Sequence, residues 1–449
     1  MELAHEQHGH MDDAHSVVHH HGPRTLPAVL DAPPMVAEWR KRMLVIAVVA
    51  TVLSLIPLFV PPLGKDHVLR GYLLGWMMSF GLAGGGLCML MLQYVSGGKW
   101  GLLLRRPLEA MAGTLPYVVV MFIPMAIPVL MRHLYLWARF TSVDATMQAM
   151  RDHLMTEEEM LTSNAKHSML NPGAYIVQSV IIFAVLLVIM YFLRKWSLER
   201  DADPAAGTQR SYDRWRMKCE NLSGIGILTY VVLMTVGALI WIMSLDVTWY
   251  SSIWGLQFLV GQGFGVLALG ILTVVLLSRA EPMKTLLRVT EQHDLGKFLF
   301  AFVMLNIYLN FAEYLIIWSG NIPDEIPWYL NRILGGWWVI CALDFIFHWV
   351  IPFTLLLSRD LKRSKSKMIW LCCWMLFART FDLFWLIEPN FKDAARNLHF
   401  SVGILAYITV PVAVLAVWAW LYLGNLASRP LMNTNDPHLA EMLEPEHAH

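Results

Sequence analysis

Apolar residues in this chain come in long unbroken runs, and ten of them approach the ~20 residues needed to cross a hydrocarbon core. They lie near residues 43–61, 69–95, 110–131, 173–193, 222–245, 251–278, 296–319, 333–357, 368–387 and 398–424. Continuous runs predict helices. Lipid offers no partner to a backbone N–H or C=O, so each segment must satisfy its own, whereas barrel strands would alternate apolar and polar positions. The expected fold class is all-α: a polytopic integral membrane protein of about ten transmembrane helices.

The polar segments between the runs orient them. With the N-terminus inside, 24 Lys and Arg lie on or beside the inner segments, including Arg40 to Arg42, Arg105, Arg106 and Arg359 to Lys367, against nine outside. The positive-inside rule then predicts both termini in the cytoplasm. Residues 1–42 are polar and the first run lacks a convincing cleavage site, so no cleavable signal peptide is expected. Gly71 to Gln93 and Gly255 to Leu277 are both glycine-rich and both lead to an Arg- and Pro-containing inner loop. Because small residues let helices approach closely, this weak duplication predicts two four-helix bundles as a parallel repeat plus two flanking helices. The division is 1–42, a cytoplasmic His-rich tail; 43–67, the first transmembrane helix; 68–247, the first bundle with a long outer loop at 132–172; 248–390, the second bundle; 391–426, the tenth helix; and 427–449, a cytoplasmic tail.

Composition agrees with the membrane class. Hydrophobic residues are 57% and charged residues 15% of the chain, against soluble averages of roughly 45–50% and 25%. Acidic and basic residues balance at 34 each, leaving no bulk basic patch for a nucleic acid partner. The five cysteines form no C-x-x-C-H motif and no ferredoxin-like spacing, and His348 and His399 belong to different helices at unlike depths, so no redox cofactor is expected in this chain. The seven histidines between His5 and His21 have no fixed ligand spacing and read as a solvated tail, as does Asn433 to His449. In the long outer loop, Thr156 followed by Glu157, Glu158 and Glu159 predicts a capped surface helix. It would either receive an extracytoplasmic partner or lie on the bilayer.

Candidate chemistry is concentrated in the second half. Ionisable groups are costly in lipid and usually face a protein interior or a water path. Asn306, Asn310 and Glu313 follow at helical spacing and share a face; Asp344 and His348 stand one turn apart; Arg379 and Asp382 are three apart on the next helix. One reading is a hydrogen-bonded proton path with the carboxylates and the imidazole as stations, Glu313 foremost. The other is an internal ion-pair network locking three helices together. His293, Asp294 and Lys297 at the inner end of the seventh helix are candidates for a proton uptake mouth or ordinary interfacial anchors. Helix three, with Pro116, Pro124 and Pro128, is the markedly interrupted span, the feature a secondary transporter would use.

Longer stretches carry a resemblance. Ser244-Leu245-Asp246 with Trp249-Tyr250-Ser251, His293 to Lys297, Asn321 through Tyr329, and Phe347-His348-Trp349 to Pro352-Phe353 with Leu357-Ser358-Arg359 resemble the ActF-type membrane subunits of bacterial alternative complex III, in the NrfD or polysulfide-reductase membrane-subunit family. The resemblance covers roughly residues 210–430. It implies a subunit of a quinol:electron-acceptor oxidoreductase in the bacterial inner membrane. Its partners would be a sister NrfD-like subunit that oxidises quinol, an Fe–S/molybdopterin-type subunit carrying Fe–S clusters, and haem-c subunits. Helices two to five show no buried carboxylate or histidine to accept quinol protons, so the expectation is a non-redox scaffold with a candidate proton path. A quinone-binding subunit of the same complex and a secondary transporter are the alternatives.

Overall fold

The computed structural model describes residues 25, 27–59, 64–203, 208–391, 404–432, 439 and 443. The His-rich tract, His399 and nearly all of Asn433 to His449 lie outside the described residues. Among the described residues there is no strand, and ten helices are long and apolar enough to span a membrane: α1 Pro34–Phe59, α2 Asp66–Ser96, α3 Lys99–Ala126, α4 Pro172–Asp201, α5 Gln209–Leu245, α6 Trp254–Leu277, α7 Val289–Gly320, α8 Trp337–Leu357, α9 Lys365–Asn390 and α10 Leu405–Ala427. The chain is an all-α, multi-pass membrane protein.

Several helices outrun their apolar segments because Lys, Arg and Glu are good helix formers and their heads reach the interface. One of the larger differences is α3, which begins at Lys99 where a loop was expected. It is also broken: its parts Lys99–Ala112, Leu115–Met121 and Ile123–Ala126 follow one another with Pro116 and Pro124 in first turns, where a missing N–H costs least. The carbonyls this frees find side chains instead. Trp76 Nε1 donates to Val118 O at 2.9 Å and Tyr72 Oη to Met121 O at 2.6 Å.

The most apolar windows of α2 and α6 are 89% and 78% buried, against 17% for α1, 28% for α7 and 22% for α8. Hence α2 and α6 form the centre and the other three turn broad faces outward to lipid. Around α2, helices α3 and α5 pack and α4 closes against both; around α6, helices α7 and α9 pack and α8 closes against both. The central helices cross where Gly81 and Gly85 face Gln262. A Cβ on Gly85 would stand 3.0 Å from Gln262 Cβ and Val266 Cγ2, so the glycines set how closely the helices approach. Helices α1 and α10 pair on the outside of α2.

The early start of α3 corrects one expectation. Glu109 is a buried carboxylate in the α2–α5 group, its side chain 6% exposed, bonded by Arg106 at 2.6 Å and by Ser197 Oγ at 2.7 Å. The long connection after α3 holds helices Val143–Arg151 and Glu157–Ala165, the second with a capping box between Thr156 and Glu159. Lys166 Nζ donates to Val247 O at 2.7 Å and Trp249 O at 3.3 Å, tying this connection to the turn between α5 and α6. That end of the molecule is called the long-loop side below, and the opposite end, where α10 finishes, the tail side.

Candidate functional site

The site is built on α6 to α9. In α8 the turn Phe345–Val350 widens to a π-helix. Pro352 has no N–H to offer the His348 carbonyl, and a wider turn accommodates that gap; such bulges recur where side chains are being re-aimed. His348 is 8% exposed, its ring edge-on to Phe264 with centroids 4.5 Å apart and its Nδ1 3.9 Å from Asp382 Oδ1 on α9. Asp344 lies one turn before it. One ligand atom from each of Asp344, His348 and Asp382 fits within 4.8 Å of the others. Asp382 is ion-paired with Arg379, both side chains at most 10% exposed.

Helix α6 makes room for that arginine. A Cβ on Gly261 would lie 2.6 Å from Arg379 Cζ, so only glycine leaves space for the guanidinium there. The cluster thus holds two carboxylates, one guanidinium and one imidazole. Asp344 Oδ1 and His348 Nε2 are buried without hydrogen-bond partners. Two carboxylates and an imidazole are also donors of the type that bind a divalent cation, but Arg379 already neutralises Asp382 and opposes a second cation beside it.

The α7 stripe meets this cluster across a small cavity. Asn306, Asn310, Gln257, Arg379 and Asp382 line it together with Ile242, Trp254, Phe258 and Leu386. It has room for about one water molecule and several polar groups to hold it, which are the two conditions a buried water needs. Asn310 Nδ2 donates to Asn306 O at 2.8 Å, and Gln257 Nε2 to Leu309 O at 3.2 Å. One turn on, Glu313 is 5% exposed; its Oε1 has no hydrogen-bond partner, and Ser251 and Gln257 are the polar side chains beside it. From Asn306 to Glu313 the helix rises about 10 Å.

Beyond Glu313, toward the long-loop side, stand Tyr329 and Arg332. Arg332 is 1% exposed, stacks on Trp328 at 3.5 Å, and donates to Trp328 O, Leu386 O and Asn390 Oδ1. Burial pulls its guanidinium from the usual range down to about 9, with Asp246 and Tyr329 opposing the shift. Past it the surface is acidic. Burial, then Asp324, Asp246 and Glu159, raise the Glu158 carboxyl, and burial followed by Glu325 raises the Tyr250 phenol.

Of the residues singled out from sequence, the structure brings Asp344, His348, Arg379, Asp382, Asn306 and Asn310 around one cluster and cavity, with Glu313 next along the track. It does not bring His293, Asp294 and Lys297 there. Lys297 and Asp294 form an exposed pair at 3.0 Å on the tail side, about 14 Å of helix from Asn306. The buried side chains of Leu299 and Val303 occupy the interval. Gln257, Arg332 and the buried pair Tyr230 and Gln262, bonded at 2.6 Å, escaped the sequence reading. A glutamine or tyrosine in a span carries no charge signal, and Arg332 sits between apolar runs. No protein-family model and no curated protein matches this chain.

Proposed function

We propose that this chain is a membrane subunit of a quinol:electron-acceptor oxidoreductase of the alternative complex III type, and that α6 to α9 carry a proton path. The observation that supports the path is the cluster of Asp344, His348 and Asp382, joined through a water-sized polar cavity to Asn306, Asn310 and Gln257, with Glu313 beside Gln257. The track runs from the interior to the long-loop side with acceptors and donors at each stage, which is the composition of a proton relay rather than of an apolar seal. Quinol oxidation in a sister subunit releases protons and changes local charge; the carboxylates here respond by exchanging protons with the cavity.

On this reading both termini are cytoplasmic, the long-loop side faces outward in a bacterial inner membrane, and Fe–S clusters and c-type haems belong to partner subunits. The test uses the assembled complex purified through this chain and reconstituted in vesicles. Glu313→Gln and Asp344→Asn are expected to lower proton release per quinol oxidised with subunit composition and haem spectrum unchanged. Unaltered turnover and proton stoichiometry in both variants would overturn the path. Recovery of the chain as a cofactor-free homomer would overturn the complex.

A further inference from the structure

On the tail side a second cavity opens among α3, α4 and the end of α10, lined by Arg106, Glu109, Ala110, Arg194, Asn425, Leu426, Arg429 and Pro430. Its charges do not balance. Arg106 is held by Glu109 at 2.6 Å and by Asp201 at 2.5 Å, Arg200 lies 3.7 Å from Asp201, and Arg429 reaches Glu109 at 3.5 Å. Of the three guanidiniums that line the cavity, Arg106 and Arg429 share Glu109, Asp201 also pairs with Arg106, and Arg194 adds a third positive charge. Arg194 has no ion-pair partner among the described residues. Burial, and the neighbouring cations Arg194 and Arg106, pull Arg429 below the ordinary guanidinium range even against the attraction of Glu109.

The donors converge on a bare stretch of backbone. At Gly113, where the first part of α3 ends, a Cβ would lie 3.0 Å from Asn425 Nδ2 and 3.3 Å from Arg194 Nη1. Arg106 contributes a buried Nε with no acceptor. Along α4, exposed Tyr191 and Val180 and partly buried Leu187 lie deeper in the membrane on the Arg194 side of the helix, so an acyl chain can lie below the cationic head. A cationic pocket at the end of membrane spans with an apolar stripe beneath has the layout of a headgroup site.

We propose that the mouth of the cavity among α3, α4 and α10, where Arg194 is exposed, binds a phosphate group, that of an anionic phospholipid, with Arg194 and Arg429 as its ligands and Asn425 as a neutral donor; the interior, too small for more than a water, stays closed to it. Guanidiniums suit this because their planar fork matches phosphate oxygens. The site is separate from the proton path and does not depend on it.

The experiment compares the wild-type chain with Arg194→Gln and Arg429→Gln in detergent, adding phosphatidylglycerol, phosphatidylcholine or inorganic phosphate. Retained phosphorus and the thermal midpoint are both measured. Arg194 is exposed and unpaired, so its variant keeps the fold. Phosphatidylglycerol is expected to raise the wild-type midpoint more than phosphatidylcholine does, and each variant to retain it about tenfold more weakly, the size of one charged hydrogen bond. Inorganic phosphate giving the same arginine-dependent rise would support the phosphate site with a soluble occupant. Equal retention by wild type and both variants, or an equal response to both lipids that survives in the variants, would overturn it.

Discussion

Asp382 and Asp344 allow a test in which loss of a buried carboxylate, on neighbouring helices, has opposite expected signs. Asp382 neutralises Arg379 in a site where both side chains are nearly buried. Asp382→Ala leaves a guanidinium stranded at membrane depth, a loss of about 3–5 kcal/mol for a broken buried pair; an exposed pair would be worth under ~1 kcal/mol. Asp344 is the surplus carboxylate, and its buried Oδ1 has no partner. An unsatisfied buried polar atom costs about 1–3 kcal/mol, so Asp344→Leu is expected to be neutral or stabilising by up to that amount. Removing both members of the ion pair, Arg379→Met with Asp382→Ala, strands no charge and is expected to cost less than the sum of those two substitutions made singly. Unfolding of detergent-solubilised protein, followed by tryptophan fluorescence, supplies the cycle. The reasoning is refuted if Asp344→Leu destabilises as much as Asp382→Ala, or if the double variant is additive. The same proteins separate the two roles weighed for this cluster. A helix-locking network loses proton release only in step with stability, whereas a relay loses it in Asp344→Leu while stability holds.

Three further outcomes follow from the packing and the surface. Gly261→Ala places a Cβ 2.6 Å from Arg379 Cζ, well inside the ~3.5 Å contact distance; instead of the usual gain from replacing a helical glycine, a loss of about 1–3 kcal/mol is expected in the unfolding midpoint. Thr156→Ala removes half of a capping box and should weaken that helix by about 1 kcal/mol, read as faster amide exchange confined to residues 157–165. Glu158, raised above 4.5 in the folded chain, binds its proton more tightly there than when unfolded. Its contribution to stability therefore falls as pH rises from about 4.5 through the folded value, and Glu158→Gln should flatten that part of the midpoint-against-pH curve; an unchanged slope would remove the acidic patch as the cause.

Apolar run length was enough to read the ten spans, since the demand for internal backbone hydrogen bonding leaves a helix as the answer for each. Spacing of three and four was enough to put Asn306, Asn310 and Glu313 on one face. What spacing along one helix cannot supply is the partner face. That Arg379 lies against Gly261 depends on how α9 crosses α6, and Gly261 by itself reads only as a small residue in a close-packed span. The start of α3 was misread for a related reason. Arg105, Arg106 and Glu109 look like loop residues when charges are counted singly, but Arg106 and Glu109 neutralise each other and Ser197 and Asp201 complete the set. Pairing removes most of the penalty that the apolar-run argument assigns to each charge.

The two groups of four helices share a scaffold and differ in what fills it. Gly81, Gly86 and Phe80 on α2 have counterparts in Gly265, Gly270 and Phe264 on α6 when the glycine-rich spans are aligned. Phe80 packs into rings: Trp76, Phe183 and Trp241 lie around it, with Phe183 and Trp241 stacked at 5.5 Å and the Trp241 Nε1 capped by Ser179. Phe264 packs instead against His348, one residue from the ion-pair cluster. Aromatic rings fill the first interior with large rigid surfaces and leave little for water to bind. Polar groups with unmet hydrogen bonds in the second do the reverse, because each gains by admitting a water or a proton. The duplicated frame thus holds a dry, ring-packed centre around Phe80 and a polar, titratable one around Phe264, while the charges of the first group are gathered at its tail-side end around Arg106 and Glu109. The shared α2–α6 crossing, closed by Gly81 and Gly85 against Gln262, is where the dry centre bears directly on the titratable one.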